Sequence, residues 1–493
     1  MDIKQTDVII IGAGIAGTAI ARELSQYEID VILMEKEADV SFGSTKASTA
    51  IIHPGLPVAD APLKTKLILD GNRLFKQLAN ELDVTFKKTG ELTIAKNENE
   101  LQELKEMKRQ ADAIKIPEVE VINRKKLQSM EPNITKEAIA ALSIPTAGIA
   151  LPFEITIALA ENASQNGVRI LLNTEVTDIS RGADNQSLLV KTACGYIKTR
   201  FVINAAGLFA DQIAAMLNAD DFSISPHKGE EYLLDKRVGS IVNQPILTVA
   251  SPWVLVMPTV DGNIILGTTY TEVNNKADSA TTLDGFRKII NDAKDLIPII
   301  SPKDIIRSFA GLRAMNTHTS DYIIEASKKE PKLINVVLGS PGITSAPAVA
   351  KMVVEILSDQ GLKLAKKPNF NPQREKMLKF SELSDEERKA LIAKDPRYGH
   401  VVCRCETVTE GEIVEAIRRG ARTVDGVKYR TRAGMGRCQG GFCGPRVIEI
   451  LARELNIPVT EITKKGKNSQ SLLFKSKELL KKGGKDNNGS SKS

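Results

Sequence analysis

Asp7-Val8-Ile9-Ile10-Ile11-Gly12-Ala13-Gly14-Ile15-Ala16-Gly17 decides how the rest of the chain is read. The β-branched run 8–11 predicts a buried strand of a parallel sheet. Three glycines then follow at the spacing G-x-G-x-x-G. In that pattern Gly12 allows a tight turn, Gly14 lets backbone approach a diphosphate, and Gly17 lets the next helix pack closely on the strand. The continuation Thr18-Ala19-Ile20-Ala21-Arg22-Glu23-Leu24 puts small and apolar residues on the helix face that packs. The N-terminal N–H groups of that helix form an anion site. A second apolar strand, 31–34, ends at Glu35, where a carboxylate accepts hydrogen bonds from adenosine ribose hydroxyls. Strand, turn, helix, strand and acid in this order predict a bound dinucleotide.

With 493 residues, 42% hydrophobic and 26% charged, the chain reads as a globular protein of two or three domains. Its net charge of +6 is not spread over the body: residues 464–493 hold nine lysines against Glu478 and Asp486, which leaves the rest near −1. Aromatic residues make up 4%, and no basic patch interleaved with aromatics occurs, so no nucleic-acid partner is expected. Met1-Asp2-Ile3-Lys4 runs straight into the first strand, so no signal peptide is expected. The longest apolar stretch, 138–153, is interrupted by Pro145, Gly148 and Pro152 and is shorter than a membrane span. A cytoplasmic protein is expected. Its lysine-rich tail, with Leu472, Leu473, Leu479 and Leu480, suits peripheral contact with a partner or the anionic inner face of a membrane. Residues 483–493 are expected to be disordered.

Further segments return to the dinucleotide. Residues 44–55 form a loop of small and hydroxyl-bearing side chains that leads into a short apolar strand. Residues 72–130 read as a separate unit, with Leu101, Leu104 and Met107 on one helix face. Leu151-Pro152-Phe153-Glu154 opens a helix to Gln165, ended by Asn166-Gly167 before a strand at 168–172. The strand 199–207 ends in Ala205-Ala206-Gly207, small residues of the kind a close cofactor requires. Repeated short strands over 226–304 predict an antiparallel sheet forming one wall of a substrate pocket. Arg307-Ser308-Phe309-Ala310-Gly311-Leu312-Arg313 then leads back toward the first domain. A strand at 333–338 meets Gly339-Ser340-Pro341-Gly342-Ile343-Thr344-Ser345 and a helix through Leu357, a second positive helix end aimed at a ligand. Residues 361–397 read as a polar linker holding a helix capped by Ser384 and Glu387.

This order of segments resembles the FAD-dependent oxidoreductases of the D-amino-acid oxidase superfamily over residues 8–357. Thr45-Lys46-Ala47-Ser48-Thr49-Ala50-Ile51-Ile52-His53, the stretch 228–236 and the stretch 339–347 resemble one branch of it. That branch contains the catalytic subunits of anaerobic-type glycerol-3-phosphate dehydrogenases and the L-2-hydroxyglutarate oxidoreductases. The resemblance implies an α/β fold. A Rossmann-like FAD-binding domain would be assembled from 1–75, 141–215 and 305–360, with an inserted mixed-sheet substrate domain from 76–140 and 216–304. Flavin contacts are expected from Gly12, Gly14, Gly17, Glu35, Thr45, Lys46, Ser48, Val176, Gly207, Gly342, Ile343 and Thr344.

Four of the five cysteines crowd near the C-terminus as Cys403-Arg404-Cys405 and Cys438-Gln439-Gly440-Gly441-Phe442-Cys443. Four thiolates hold either zinc or a [2Fe–2S] cluster, and the tight Cys-x-Cys pair is less usual for zinc. Gly434, Gly436, Gly440 and Gly441 leave backbone N–H groups to face cluster sulfurs. The stretch resembles the bacterioferritin-associated-ferredoxin type of [2Fe–2S] domain, although four residues rather than two separate its second pair. A small, mostly helical domain is expected at 398–458, followed by a basic, partly disordered tail at 459–493. Cys194 reads as a core residue.

Oxidising a secondary alcohol on flavin requires a group that takes the hydroxyl proton. Of the four histidines, His53 follows the flavin-adjacent loop and is the first candidate for base or flavin contact. His227 and His318 adjoin pocket segments, and His400 belongs with the cysteines. Arg313 stands where the family places a substrate-binding arginine, and Lys228 is a second cation for an anionic substrate. His53-Pro54-Gly55-Leu56-Pro57-Val58 lacks the Arg-Tyr pair that follows this histidine in membrane-type glycerol-3-phosphate dehydrogenases, so that phosphate contact is missing. The resemblance implies oxidation of sn-glycerol 3-phosphate to dihydroxyacetone phosphate, with electrons leaving through the cluster to a partner acceptor subunit. The alternatives are a 2-hydroxy acid (L-2-hydroxyglutarate) or amino-acid oxidoreductase, and a non-catalytic flavin electron-transfer subunit with a zinc module.

Overall fold

The glycine turn stands at the end of the strand Lys4–Ile11, inside an eight-stranded sheet of a computed structural model that describes residues 4–477 except Asp220, Pro252 and Lys475. Val31–Met34 and Gly195–Asn204 flank that strand, both parallel to it, so Val8 lies opposite Val31 on one side and Phe201 on the other. Arg169–Leu171 and Leu333–Val337 continue the parallel order outward. Ile323–Ala326 closes one edge antiparallel, and the Val176–Arg181/Leu188–Thr192 hairpin pairs antiparallel with the first half of Gly195–Asn204. Val8, Ile9, Ile10 and Leu33 have no exposed surface, as continuous apolar runs covered on both faces require. The helices Ile15–Leu24 and Gly342–Asp359 follow the strands Lys4–Ile11 and Leu333–Val337, and Pro152–Gln165 leads into Arg169–Leu171. Pro62–Glu81 crosses Gly342–Asp359 with Gly71 against the Thr344 carbonyl.

A second, nine-stranded sheet carries the substrate side. Its two longest strands, Ile224–Leu234 and Ile305–Asn316, pair antiparallel, and Ile264–Gly267 pairs with the other edge of Ile224–Leu234. Leu255–Pro258 and Ile246–Thr248 follow, then Glu91–Ala95 parallel to Ile246–Thr248, then Ala140–Ile144 and Glu120–Asn123. Leu92, Ile94, Leu234, Val256 and Leu266 pack with Ile289 and Ile290 of the helix Leu283–Leu296 to form its core. The mixed sheet agrees with expectation, but its boundaries do not. Ile305–Asn316, expected in the third flavin segment, belongs to this sheet, and so does Ala140–Ile144.

The chain divides into two compact units, Met1–Lys36 with Val40–Lys376, and Glu37–Asp39 with Met377–Ser493. Residues 361–397 are therefore not a linker. Leu362 is buried, the Glu28 and Lys367 N–H groups bond the Ala365 and Gln26 carbonyls at 2.8 and 2.7 Å, and Arg374 Nε meets Glu161 at 2.6 Å, all within the first unit. Met377 and Phe380 are buried in the second unit, and the helix Asp385–Lys394 opens on the expected Ser384/Glu387 capping box. The core of the second unit gathers Val402, Ile413, Val427, Val447 and Leu451 from short strands and three helices. Cys194 is exposed in the turn before Gly195–Asn204, where a hairpin end places it outside the core. Among the described residues no helix is long and apolar enough to cross a membrane. Leu479, Leu480 and the tail 483–493, for which disorder was expected, lie outside the described residues.

Candidate active site

Gly12 sits at φ +101°, and a Cβ there would lie 2.5 Å from the Ala205 carbonyl oxygen, so only glycine joins these two strand ends. A Cβ on Gly17 would lie 1.9 Å from the Gly12 carbonyl, which fixes how closely helix and turn pack. Gly14 meets no backbone; its nearest neighbour is Thr45 Oγ1, which also accepts the Ile15 N–H at 3.1 Å. Glu35, buried, accepts the Ala13 N–H at 2.8 Å, and the Glu35 carbonyl takes the Thr174 N–H two residues before Val176. Gly207 has φ +57° and open space where a Cβ would stand. The N-cap residues of the helices starting at Ile15 and Gly342, Gly14 and Pro341, supply no capping side chain, and Thr45 takes only the Ile15 N–H, which leaves positive helix ends to a ligand. These features fit a dinucleotide: a cradle without side chains, two uncapped helix starts and a buried acid. Ser48 accepts the Ala50 N–H at 3.1 Å, which shapes the loop rather than pointing away from it. Lys46 donates to the Phe42 carbonyl, so its ammonium is anchored inside its own turn.

His53 follows the two-residue strand Ile51–Ile52. Its N–H donates to Thr344 Oγ1 at 3.1 Å and its carbonyl accepts from Asn72 Nδ2 at 2.9 Å, so both ends of the residue are held. Thr344 Oγ1 in turn donates to the Ile51 carbonyl at 3.2 Å. Ile343 and Thr344 are buried at the start of their helix, and Thr344 ties that helix to the strand leading into the histidine. The His53 side chain keeps 29% of its surface, yet dense protein around the ring lowers its pKa to about 4, with the charge of Lys64 acting the same way. It is a neutral imidazole at pH 7. Its Nδ1 lies 3.7 Å from Glu91 Oε2. Burial pushes Glu91 up to about 8, and that Oε2 has no hydrogen-bond donor.

Arg313 projects from Ile305–Asn316 opposite His227, on the sheet face shared by His227, Gly229 and Glu231. Its guanidinium lies over Trp253 and Tyr270, 5.2 and 5.6 Å from the ring centroids, and Trp253 and Tyr270 stack at 4.1 Å. Nη2 reaches Thr268 Oγ1 at 3.3 Å. A Cβ on Gly229 would meet Arg313 Nη1 at 2.5 Å, so the glycine makes room for the cation. Buried Glu231 is pushed up to about 8 by desolvation, opposed by Arg313. Lys228 does not join this group. Alternation along the strand turns it to the opposite face, where buried Nζ binds Asp278 at 2.9 Å. Gly311, two residues before Arg313, lies against Ala47, so the loop that ends at His53 also abuts the arginine strand. His227 is half-buried against Tyr270, while His318 is exposed and His400 pairs with Glu410 at 2.7 Å.

Glu91, Lys64, Glu231, Trp253 and Tyr270 escaped the sequence reading. Glu91, Lys64 and Glu231 sit in strands or a helix whose apolar neighbours give no local sign of a site, and Trp253 and Tyr270 stand in the loops beside strand ends. The available signal was parity: His227, Gly229 and Glu231 alternate on one face, which excludes Lys228 from it.

In the second unit, Cys403 ends the strand Val401–Cys403 and Cys443 precedes the helix Gly444–Leu455. The sulfurs come as two pairs. The Cys443 thiol donates to Cys403, holding the Cys403 pKa low and its own high, and Cys405 Sγ lies 3.8 Å from Cys438 Sγ. Backbone N–H groups of Gly434 and Glu406 point at Cys403, and those of Phe442 and Gly440 at Cys438. Four thiols in two pairs with backbone donors suit two irons bridged by sulfide.

The chain belongs to the FAD dependent oxidoreductase family, whose model matches residues 7–356, and residues 401–453 match the BFD-like [2Fe-2S] binding domain. FAD and a [2Fe–2S] cluster are its cofactors, and the zinc alternative falls. More particularly, it is 45% identical to glycerol 3-phosphate dehydrogenase of Caloramator mitchellensis, covering 94% of this chain and 98% of that one. It is 27% identical to anaerobic glycerol-3-phosphate dehydrogenase subunit A1 of Haloferax volcanii, over 92% and 83% of the two chains. The FAD-bound, dithionite-reduced L-alpha-glycerophosphate oxidase of Mycoplasma pneumoniae superposes with a TM-score of 0.71 at 30% identity, covering 99% of that chain but 76% of this one.

Proposed function

We propose that this protein oxidises sn-glycerol 3-phosphate to dihydroxyacetone phosphate on FAD and passes the electrons through its [2Fe–2S] cluster to a partner acceptor subunit. The observation that carries this reading is the near-full-length likeness to the Caloramator dehydrogenase, which takes in both units of the chain. The Mycoplasma oxidase is matched over its whole length with about a quarter of this chain left over, which favours a dehydrogenase over an oxidase.

When bound, the flavin supplies the two-electron acceptor and the cluster a one-electron outlet. The chain's own residues bind, orient and deprotonate. Arg313, a forked cation stripped of much of its water, offers paired N–H groups to the phosphate. The stacked Trp253 and Tyr270 hold its plane and exclude water from one side. His53, neutral at pH 7, takes the hydroxyl proton as the C–H electron pair leaves. Lys64 supplies a second buried positive charge near the histidine, a candidate replacement for the missing Arg-Tyr phosphate contact.

The test is the fate of the electrons. In air, with glycerol 3-phosphate and an excess of a one-electron dye, dye reduction should far exceed hydrogen peroxide formation. Peroxide that matches substrate consumption one for one would make the protein an oxidase.

A further inference from the structure

We propose that Glu91 is the positioning residue of His53: its carboxylate accepts the Nδ1 hydrogen, aims Nε2 at the substrate hydroxyl and holds the imidazolium that turnover creates. This rests on the alcohol-oxidising role of His53 proposed above.

Glu91 opens the strand Glu91–Ala95, and its side chain is 4% exposed. A carboxylate oxygen buried without a donor is costly, and evolution of a fold leaves few of them. Among the described residues Oε2 has no donor, and the titratable group it faces is the His53 ring, with Nδ1 at 3.7 Å. That separation exceeds a hydrogen bond by under an ångström. Because Thr344 and Asn72 hold the His53 backbone, a small rotation of the ring is enough to close it.

The groups acting on the pair come from several elements. From Pro62–Glu81, Lys64 acts on His53 by its charge, and Asn72 contributes a neutral amide. The helix Gly342–Asp359 contributes the neutral Thr344 hydroxyl, and the strand beside Glu91 places Ile144 opposite it.

The proton balance follows. With Glu91 ionised, Nδ1 carries its hydrogen toward the carboxylate and the Nε2 lone pair faces the substrate. Breaking the substrate O–H bond would send that proton to Nε2, the C–H hydrogen would leave with its electron pair to the two-electron acceptor that bound FAD supplies, and a net-neutral imidazolium–carboxylate pair would remain. The extra proton leaves to solvent before the next turnover. With Glu91 protonated, its O–H donates to Nδ1, Nε2 carries the hydrogen, and no base is presented. Burial places this switch at a pH of about 8.

The test uses the FAD- and cluster-loaded full-length protein, with kcat/KM for glycerol 3-phosphate measured from pH 7 to 9.5, where the substrate phosphate stays dianionic. In wild type kcat/KM should rise about tenfold per pH unit toward 8 and then level off. Glu91→Gln, the same shape without a titrating proton, should give a flat profile at least tenfold lower at its maximum. Glu91→Asp should keep an ascending limb. A Glu91→Gln limb superimposable on wild type, or a flat wild-type profile, overturns the proposal. A structural role alone would lower activity without removing the limb. Spectra of 15N-histidine-labelled protein should show the His53 tautomer switching near pH 8 in wild type and not in Glu91→Gln. If wild type fails to turn over glycerol 3-phosphate, the functional reading falls, and this tautomer switch alone decides the inference.

Discussion

Replacing Arg313 by lysine keeps the charge and removes the fork. The guanidinium is placed by the Trp253 and Tyr270 faces, by Thr268 Oγ1 at 3.3 Å, and by the space that Gly229 leaves. A lysine ammonium in that slot reaches an anionic substrate with one strong hydrogen bond instead of two parallel ones. A hydrogen bond to a charged group contributes about 1.5–3 kcal/mol. At about 1.4 kcal/mol per tenfold, losing one weakens substrate binding roughly 10- to 150-fold. Lysine also forgoes the planar stacking of the guanidinium on the Trp253 and Tyr270 faces. The assay is anaerobic stopped-flow bleaching of the flavin band against substrate concentration. Arg313→Lys should raise the half-saturating concentration by that factor while the limiting bleaching rate changes by less than tenfold. A half-saturating concentration within threefold of wild type would refute the assignment of Arg313 to the substrate anion.

Gly12→Ala places a methyl 2.5 Å from the Ala205 carbonyl at φ +101°, so the purified variant should hold little FAD, read as the ratio of flavin to protein absorbance; full occupancy would disprove the role of the turn. Cys438→Ser should lose cluster iron and visible cluster absorbance while substrate still bleaches the flavin anaerobically; iron content equal to wild type would remove Cys438 from the ligand set. The two buried groups beside each other have opposite linkage to pH. His53, lowered to about 4, adds stability as pH rises to its unfolded value of 6.5, whereas Glu91, raised to about 8 from 4.5, loses stability as pH rises across that interval. The two slopes cancel up to pH 6.5, and above it Glu91 acts alone. Over the remaining 1.5 pH units, wild type should lose about 2 kcal/mol relative to Glu91→Gln. Denaturant midpoints that fall in parallel for the two proteins would show that Glu91 does not ionise in this window.

Local signals carried the reading of the sequence. The turn at Gly12, Gly14 and Gly17 and the acid at Glu35 are close in sequence because one strand–helix–strand unit builds them, and the four cysteines stand out as two tight pairs in the sequence. What failed was non-local. Ile305–Asn316 joins the substrate sheet because it pairs with Ile224–Leu234, some eighty residues earlier, and no residue within it announces that partner. The same unknown register hid which face of the sheet Arg313 shares, so Lys228 was grouped with it although the two point oppositely. Residues 361–376 are polar and looked like a tether, yet their backbone is bonded to the first unit at Gln26 and Glu28. Glu91 heads the apolar strand Glu91–Ala95, and only the fold brings it to His53.

On the proposed function, glycerol 3-phosphate is the electron donor to the bound flavin. Purified with FAD and cluster and kept free of oxygen, the protein should lose its flavin absorbance rapidly on addition of glycerol 3-phosphate and show no comparable change with L-2-hydroxyglutarate or an amino acid. An unchanged band with glycerol 3-phosphate, together with bleaching by one of the others, would contradict the account.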